Sequence, residues 1–113
     1  MIYRLFGRLG KEFKFDVHEW NVEKENQKTF TIVSNNSYGV KKRLNKEKIG
    51  VIDTNTVNTI DSIISYNVFL TDKTQIDHYK NEILNKIIER VRYYDENLKQ
   101  KVKMLQENGI NID

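Results

Sequence analysis

With 113 residues, a formal net charge of +3 and no cysteine, the chain is sized for one domain with its own core. A disulfide framework, a thiolate metal site and a cysteine nucleophile are excluded, and the basic excess is too small for a protein that depends on wrapping nucleic acid. Residues 1–7 are too short and interrupted for a signal peptide, and the longest apolar-looking run, 60–70, contains Asp61, Ser62, Ser65 and Asn67, so a cytoplasmic location is expected rather than a bilayer span.

Alanine and proline are both missing, and Asn, Ile and Lys are abundant. That usage follows AT-rich codons, as in a low-GC bacterium or its phages.

Residues 1–9 alternate loosely, with Tyr3, Leu5 and Leu9 set against Arg4, Phe6 and Arg8. Residues 13–17 alternate cleanly, as a half-buried strand should. At His18-Glu19-Trp20-Asn21-Val22 the apolar phase passes from odd to even positions, so either a bulge sits near His18 or the strand has ended. Residues 23–28 read as a solvated loop. Residues 29–34 form a β-rich strand closed by the turn residues Asn35-Asn36-Ser37.

Residues 38–48 are the most basic part, with Lys41, Lys42, Arg43, Lys46 and Lys48. They fit a strand followed by a turn or a short helix, and periodicity does not decide. Two short β-prone pieces, 51–52 and 57–60, flank a polar Asp53-Thr54-Asn55 corner. Residues 63–70 are the strongest late strand, apolar on both faces, which marks a central strand or one lying under a helix.

From 71 to 108 no glycine or proline interrupts the chain, and one helix is expected. Thr71 or Asp72 can cap its start, with Gln75 three residues after Asp72, and Asn108-Gly109 can end it. Apolar residues recur at steps of three and four from Ile76 to Leu105. Leu84, Val91, Leu98 and Leu105 fall every seventh residue, with Ile88 and Val102 on the second seam and Asp95 interrupting it. Such a helix runs about 55 Å at about 1.5 Å per residue, whereas a globule of this length has a radius of gyration near 13 Å, on the order of that expected for its size. It should outreach its domain, and its stripe then needs a symmetric partner. The alternative is a break near Tyr93-Tyr94-Asp95 that folds the helix back.

The expected architecture is therefore α+β: a single domain over 1–113, with about five antiparallel strands in 1–70, one long helix over 71–108 that mediates oligomerisation, and a tail over 109–113.

Enzyme chemistry finds little support. His18 and His78 lack companions at metal spacing, and no carboxylate pair, serine elbow or phosphate loop is present. No cofactor or metal is expected. The residues best suited to a ligand are Lys41, Arg43 and Lys48 for phosphate, Trp20 or Phe69 for stacking on a base, and Arg92 from the helix. The same basic run also suits a solvated face, and Trp20 a core position.

Lys28-Thr29-Phe30, residues 40–50 with their Ile49-Gly50 step, and Tyr66-Asn67-Val68-Phe69-Leu70-Thr71-Asp72 running into a charged helix resemble a class of small phage-encoded proteins. Among them are the Thoeris anti-defence sponge proteins. The resemblance is one of arrangement and covers most of the chain. It implies an oligomer that captures a cyclic ADP-ribose-type signalling nucleotide in the host cytosol and silences bacterial immunity without catalysis. The rival readings are an inhibitor or interaction module that docks on a host protein and, more weakly, a nucleic-acid binder.

Overall fold

The computed structural model describes residues 1–35, 39–58 and 63–107, without the side chains of 55–58 and 63. Six strands form one antiparallel sheet: β1 (Ile2–Leu9), β2 (Phe13–Glu25), β3 (Thr29–Ser34), β4 (Lys41–Asn45), β5 (Asp53–Asn58) and β6 (Ile63–Leu70). Their order is β4-β3-β2-β1-β6-β5. A single helix, α1 (Ile76–Glu107), follows. The fold is α+β, with the sheet first and the helix last, and the helix is unbroken through Tyr93-Tyr94-Asp95.

The two faces of the sheet carry separate cores. On one face Leu5, Ile64, Val68 and Leu70 pack under Ile83 and Ile87 of α1, with Tyr3, Phe15, Tyr66 and Tyr79 around them. Gly7 lies where the helix crosses: a Cβ there would stand 2.6 Å from Cγ2 of Ile83. On the other face Ile2, Trp20, Ile32, Leu44 and Phe69 form a second cluster, flanked by Phe30 and Ile49.

That second cluster requires a curled sheet. β4 and β6 are four places apart in strand order, which in a flat sheet is about 19 Å at about 4.8 Å per strand. Yet Nζ of Lys42 on β4 lies 4.9 Å from the ring centroid of Phe69 on β6. The face bearing Phe69 is therefore concave. The link from β4 to β5, a 3₁₀ turn at Lys46–Lys48 followed by Ile49 and Gly50, ties the two edges together. Lys46 N–H donates to Lys28 O, Gly50 N–H donates to Phe69 O at 2.9 Å, and Ile49 bridges to Phe69. Gly50 takes φ of +76° there, with the Tyr79 hydroxyl 3.0 Å from where a Cβ would be.

This arrangement corrects three expectations. β2 does not end at His18, nor is there a bulge there; its pairing with β1 is continuous from Leu9↔Phe13 to Ile2↔Trp20, and the register shift lies between Val22 and Lys24, against β3. The phase change arises because Phe15 serves the helix-side core while Trp20 serves the opposite one. The supposed loop over 23–28 shrinks to a turn in which Asn26 Oδ1 accepts from the N–H groups of Lys28 and Thr29. Asp53-Thr54 is no corner but the start of β5, which completes the six-stranded sheet. Asn36, Ser37, Ile60 and the Asn108-Gly109 stop lie outside the described residues.

Asp72 begins the helical region as expected: its carboxylate accepts from the Thr74 N–H at 2.9 Å and the Thr74 hydroxyl at 2.7 Å. A 3₁₀ turn, Lys73–Gln75, then leads into α1. The helix runs about 48 Å at about 1.5 Å per residue. Past Arg90 it leaves the sheet, and Asn97 is the one partly buried residue as far as Glu107. The radius of gyration is 18.9 Å and the longest extent 63 Å, well beyond the globular value. Among the described residues no helix is long and apolar enough to cross a membrane.

Candidate functional site

On the concave face, strand pairing sets Arg4 opposite Phe69 of β6 and His18 of β2. Period-two alternation along β1 puts Phe6 on the same face. The Arg4 guanidinium carbon lies 5.4 Å from the Phe6 ring centroid and 5.9 Å from that of Phe69. From across the curl, Lys42 reaches the same Phe69 ring. Two cations thus converge on one aromatic ring, above a floor of Trp20, Ile32 and Phe69.

Neither cation meets a carboxylate of the described residues. Among the described residues, salt bridges engage Lys14, Lys41, Lys46, Lys48 and Lys99, not Arg4 or Lys42. Arg4 Nε is buried without a hydrogen-bond partner, as are the Trp20 indole N–H and the Ser65 hydroxyl. Burial lowers the pKa of Arg4 from its ordinary value, although a guanidinium keeps its proton at neutral pH. Arg4 is partly buried, and its ring contacts offset part of the cost of desolvating it, about 0.5–2 kcal/mol each, whereas Lys42 is exposed and keeps its hydration. An anion placed here would accept charge-assisted hydrogen bonds from both groups.

The residues expected to bind a ligand do not all meet here. Trp20 and Phe69 come together in the same cluster, as 8 % and 6 % exposed members of the core. Lys41 and Arg43 flank Lys42 on β4 and so belong to the opposite face. Lys41 is engaged by Glu23 at 2.9 Å. Lys48 sits in the 3₁₀ turn, 3.9 Å from Asp53. Arg92 is exposed on the helix beyond the sheet, and one residue past Val91 it points about 100° away from the apolar stripe. Arg4 was missed as a site residue, although it had a faint signal as a cation between Tyr3 and Phe6 in a short strand. Lys42 had its place in the basic run as a candidate for phosphate contact, but Lys41 and Arg43 were preferred to it, because what singles out Lys42 depends on the curl.

Of the expected interface residues, Leu84 is half-buried, while Ile88, Val91, Leu98, Val102 and Leu105 are exposed, Leu98 by 62 %. A cleft of about 260 Å³ lies elsewhere, between Tyr66 and the helix residues Lys86, Glu89, Arg90 and Tyr93. Its lining sets two cations, Lys86 and Arg90, against the Glu89 carboxylate. Among the described residues no three His, Asp or Glu side chains group as the ligands of a metal ion would.

Comparison with known proteins finds no family, curated protein or solved structure that matches this chain.

Proposed function

We propose that this protein is a non-catalytic, cytoplasmic binding protein that sequesters a small anionic nucleotide on its concave face and associates with itself through the distal part of α1. The observation that carries the reading is the convergence of Arg4 and Lys42, neither paired with a carboxylate among the described residues, on the ring of Phe69. A phosphate or pyrophosphate group supplies the missing charge, and Phe6 offers a half-buried aromatic surface beside it for a base. A signalling nucleotide of the cyclic ADP-ribose type meets both needs, and holding it without turnover would act as counter-defence of the kind the family resemblance implies.

Two charge-assisted contacts contribute about 1.5–3 kcal/mol each, and base stacking adds about 1–3 kcal/mol. Their sum runs from about 4 to about 9 kcal/mol, which spans about millimolar affinity at the low end to about micromolar at the high end. Calorimetric titration with cyclic ADP-ribose isomers and cyclic oligonucleotides tests this directly. Binding at micromolar concentration that weakens in Lys42→Glu supports the reading; a flat titration across the whole panel disposes of it.

A second reading, an inhibitor that docks on a host protein, is favoured by the exposed apolar residues of the arm. It predicts a stoichiometric partner in host lysate that is lost with Leu98→Asp, with Lys42→Glu still competent.

A further inference from the structure

We propose that two copies of this chain pair antiparallel through residues 88–107 of α1, so that the tip of each arm reaches the base of the other copy's sheet. The inference rests on the reading that the arms self-associate and adds their orientation and register. Three observations carry it.

The first is where the stripe becomes free. Ile83 and Ile87 are buried against the sheet, whereas Ile88 and Val91 are exposed at 45 % and 42 %. Parallel pairing would bring both sheets to one end, crowded against the same stripe. Antiparallel pairing ends each arm where the partner's sheet begins.

The second is register. With a two-fold axis level with the Glu96-Asn97 peptide, Ile88 of one copy lies opposite Leu105 of the other, Val91 opposite Val102, and Asp95 opposite Leu98. Every exposed seam residue is then covered. Parallel pairing instead sets Asp95 against its own copy in the seam, two carboxylates face to face. In the antiparallel register each Asp95, already 3.1 Å from Lys99 of its own helix, lies beside the other copy's Lys99.

The third is charge. From Ile88 to Asn97 the arm carries Glu89, Asp95 and Glu96 against Arg90 and Arg92, a net negative charge. From Leu98 to Glu107 it carries Lys99, Lys101 and Lys103 against Glu107, a net positive charge. Antiparallel arms set the acidic half of each on the basic half of the other, and parallel arms set like on like.

The chain has no cysteine, so Gln106→Cys gives one spin label per protomer at an exposed position. Antiparallel arms separate the two labels by nineteen residues along the axis, about 28 Å at about 1.5 Å per residue. Parallel arms leave them at one level, little beyond the roughly 10 Å between helix axes. Sedimentation of the same protein reads association separately. A dimer with the long label distance is the expected result. A dimer with the short distance overturns the orientation and leaves self-association standing; a monomer at every concentration, or a trimer or tetramer, overturns the two-fold pair itself.

Discussion

Substituting alanine for Gly7 probes the contact that seats the helix on the sheet. The new Cβ would lie 2.6 Å from Cγ2 of Ile83, about 1 Å inside the 3.5–4.0 Å optimum for two carbons. Ile83 is fully buried and cannot swing into solvent, so the helix must lift or the strand must yield. Overpacking of this kind costs about 1–3 kcal/mol. Loss of the glycine's freedom in the unfolded chain returns about 0.4–1 kcal/mol. The net destabilisation is about 1–2 kcal/mol, a fall in Tm of about 5–10 °C for a domain of this size.

Thermal melts by circular dichroism at one fixed protein concentration measure it, with two controls. Gly10→Ala meets nothing within 4 Å and should leave Tm nearly unchanged. Ile83→Leu removes the γ2 methyl, so Gly7→Ala should cost less in that background, giving a positive coupling. If Gly7→Ala matches or exceeds the wild type and shows no coupling to position 83, the helix does not cross the sheet as described.

Arg4→Gln and Lys42→Glu should each weaken nucleotide binding by about 10- to 100-fold, since each removes about 1.5–3 kcal/mol of charge-assisted contact; Lys41→Glu, on the other face, should not. Each of Ile88, Val91, Leu98, Val102 and Leu105 still exposes about half its surface, so covering them contributes about 1 kcal/mol apiece, or about 10 for a pair of arms. That gain stands against an association cost of about 4–15 kcal/mol, so the pair should be concentration-dependent, and Leu98→Asp should leave only monomer by sedimentation without unfolding the sheet. The Asp72 carboxyl is held below its ordinary pKa, first by the Thr74 hydroxyl and then by the Thr74 N–H. Because its folded pKa is depressed, its stabilisation is present above the unfolded value near 3.8 and is lost as pH falls through the folded value. Helical circular dichroism should therefore show an acid-dependent loss in the wild type that Asp72→Asn lacks.

The helix was legible because its signal is local: an uninterrupted three-and-four stripe, an Asp72 cap and no breaker make one element in any context. Its projection beyond the domain followed from length alone. β2 was misread because Phe15 and Trp20 serve opposite cores, which a single strand cannot reveal without knowing that both faces are covered. β5 was missed because Asp53 and Thr54 are polar residues at the sheet edge, where pairing with β6 overrides propensity. The candidate site was the least legible part. Trp20 and Phe69 drew attention as large aromatics, but the curl that lays Lys42 over Phe69 brings together strands 27 residues apart, and the basic run showed charge without showing that Lys41, Lys42 and Arg43 alternate between faces.

Capture without turnover is tested most directly by incubating the purified protein with a cyclic ADP-ribose isomer, removing unbound ligand, and denaturing with heat. Mass spectrometry of the released material should recover the intact nucleotide in near-stoichiometric amount from the wild type and little from Lys42→Glu. Recovery of a hydrolysed product, or of nothing from the wild type, would contradict the account.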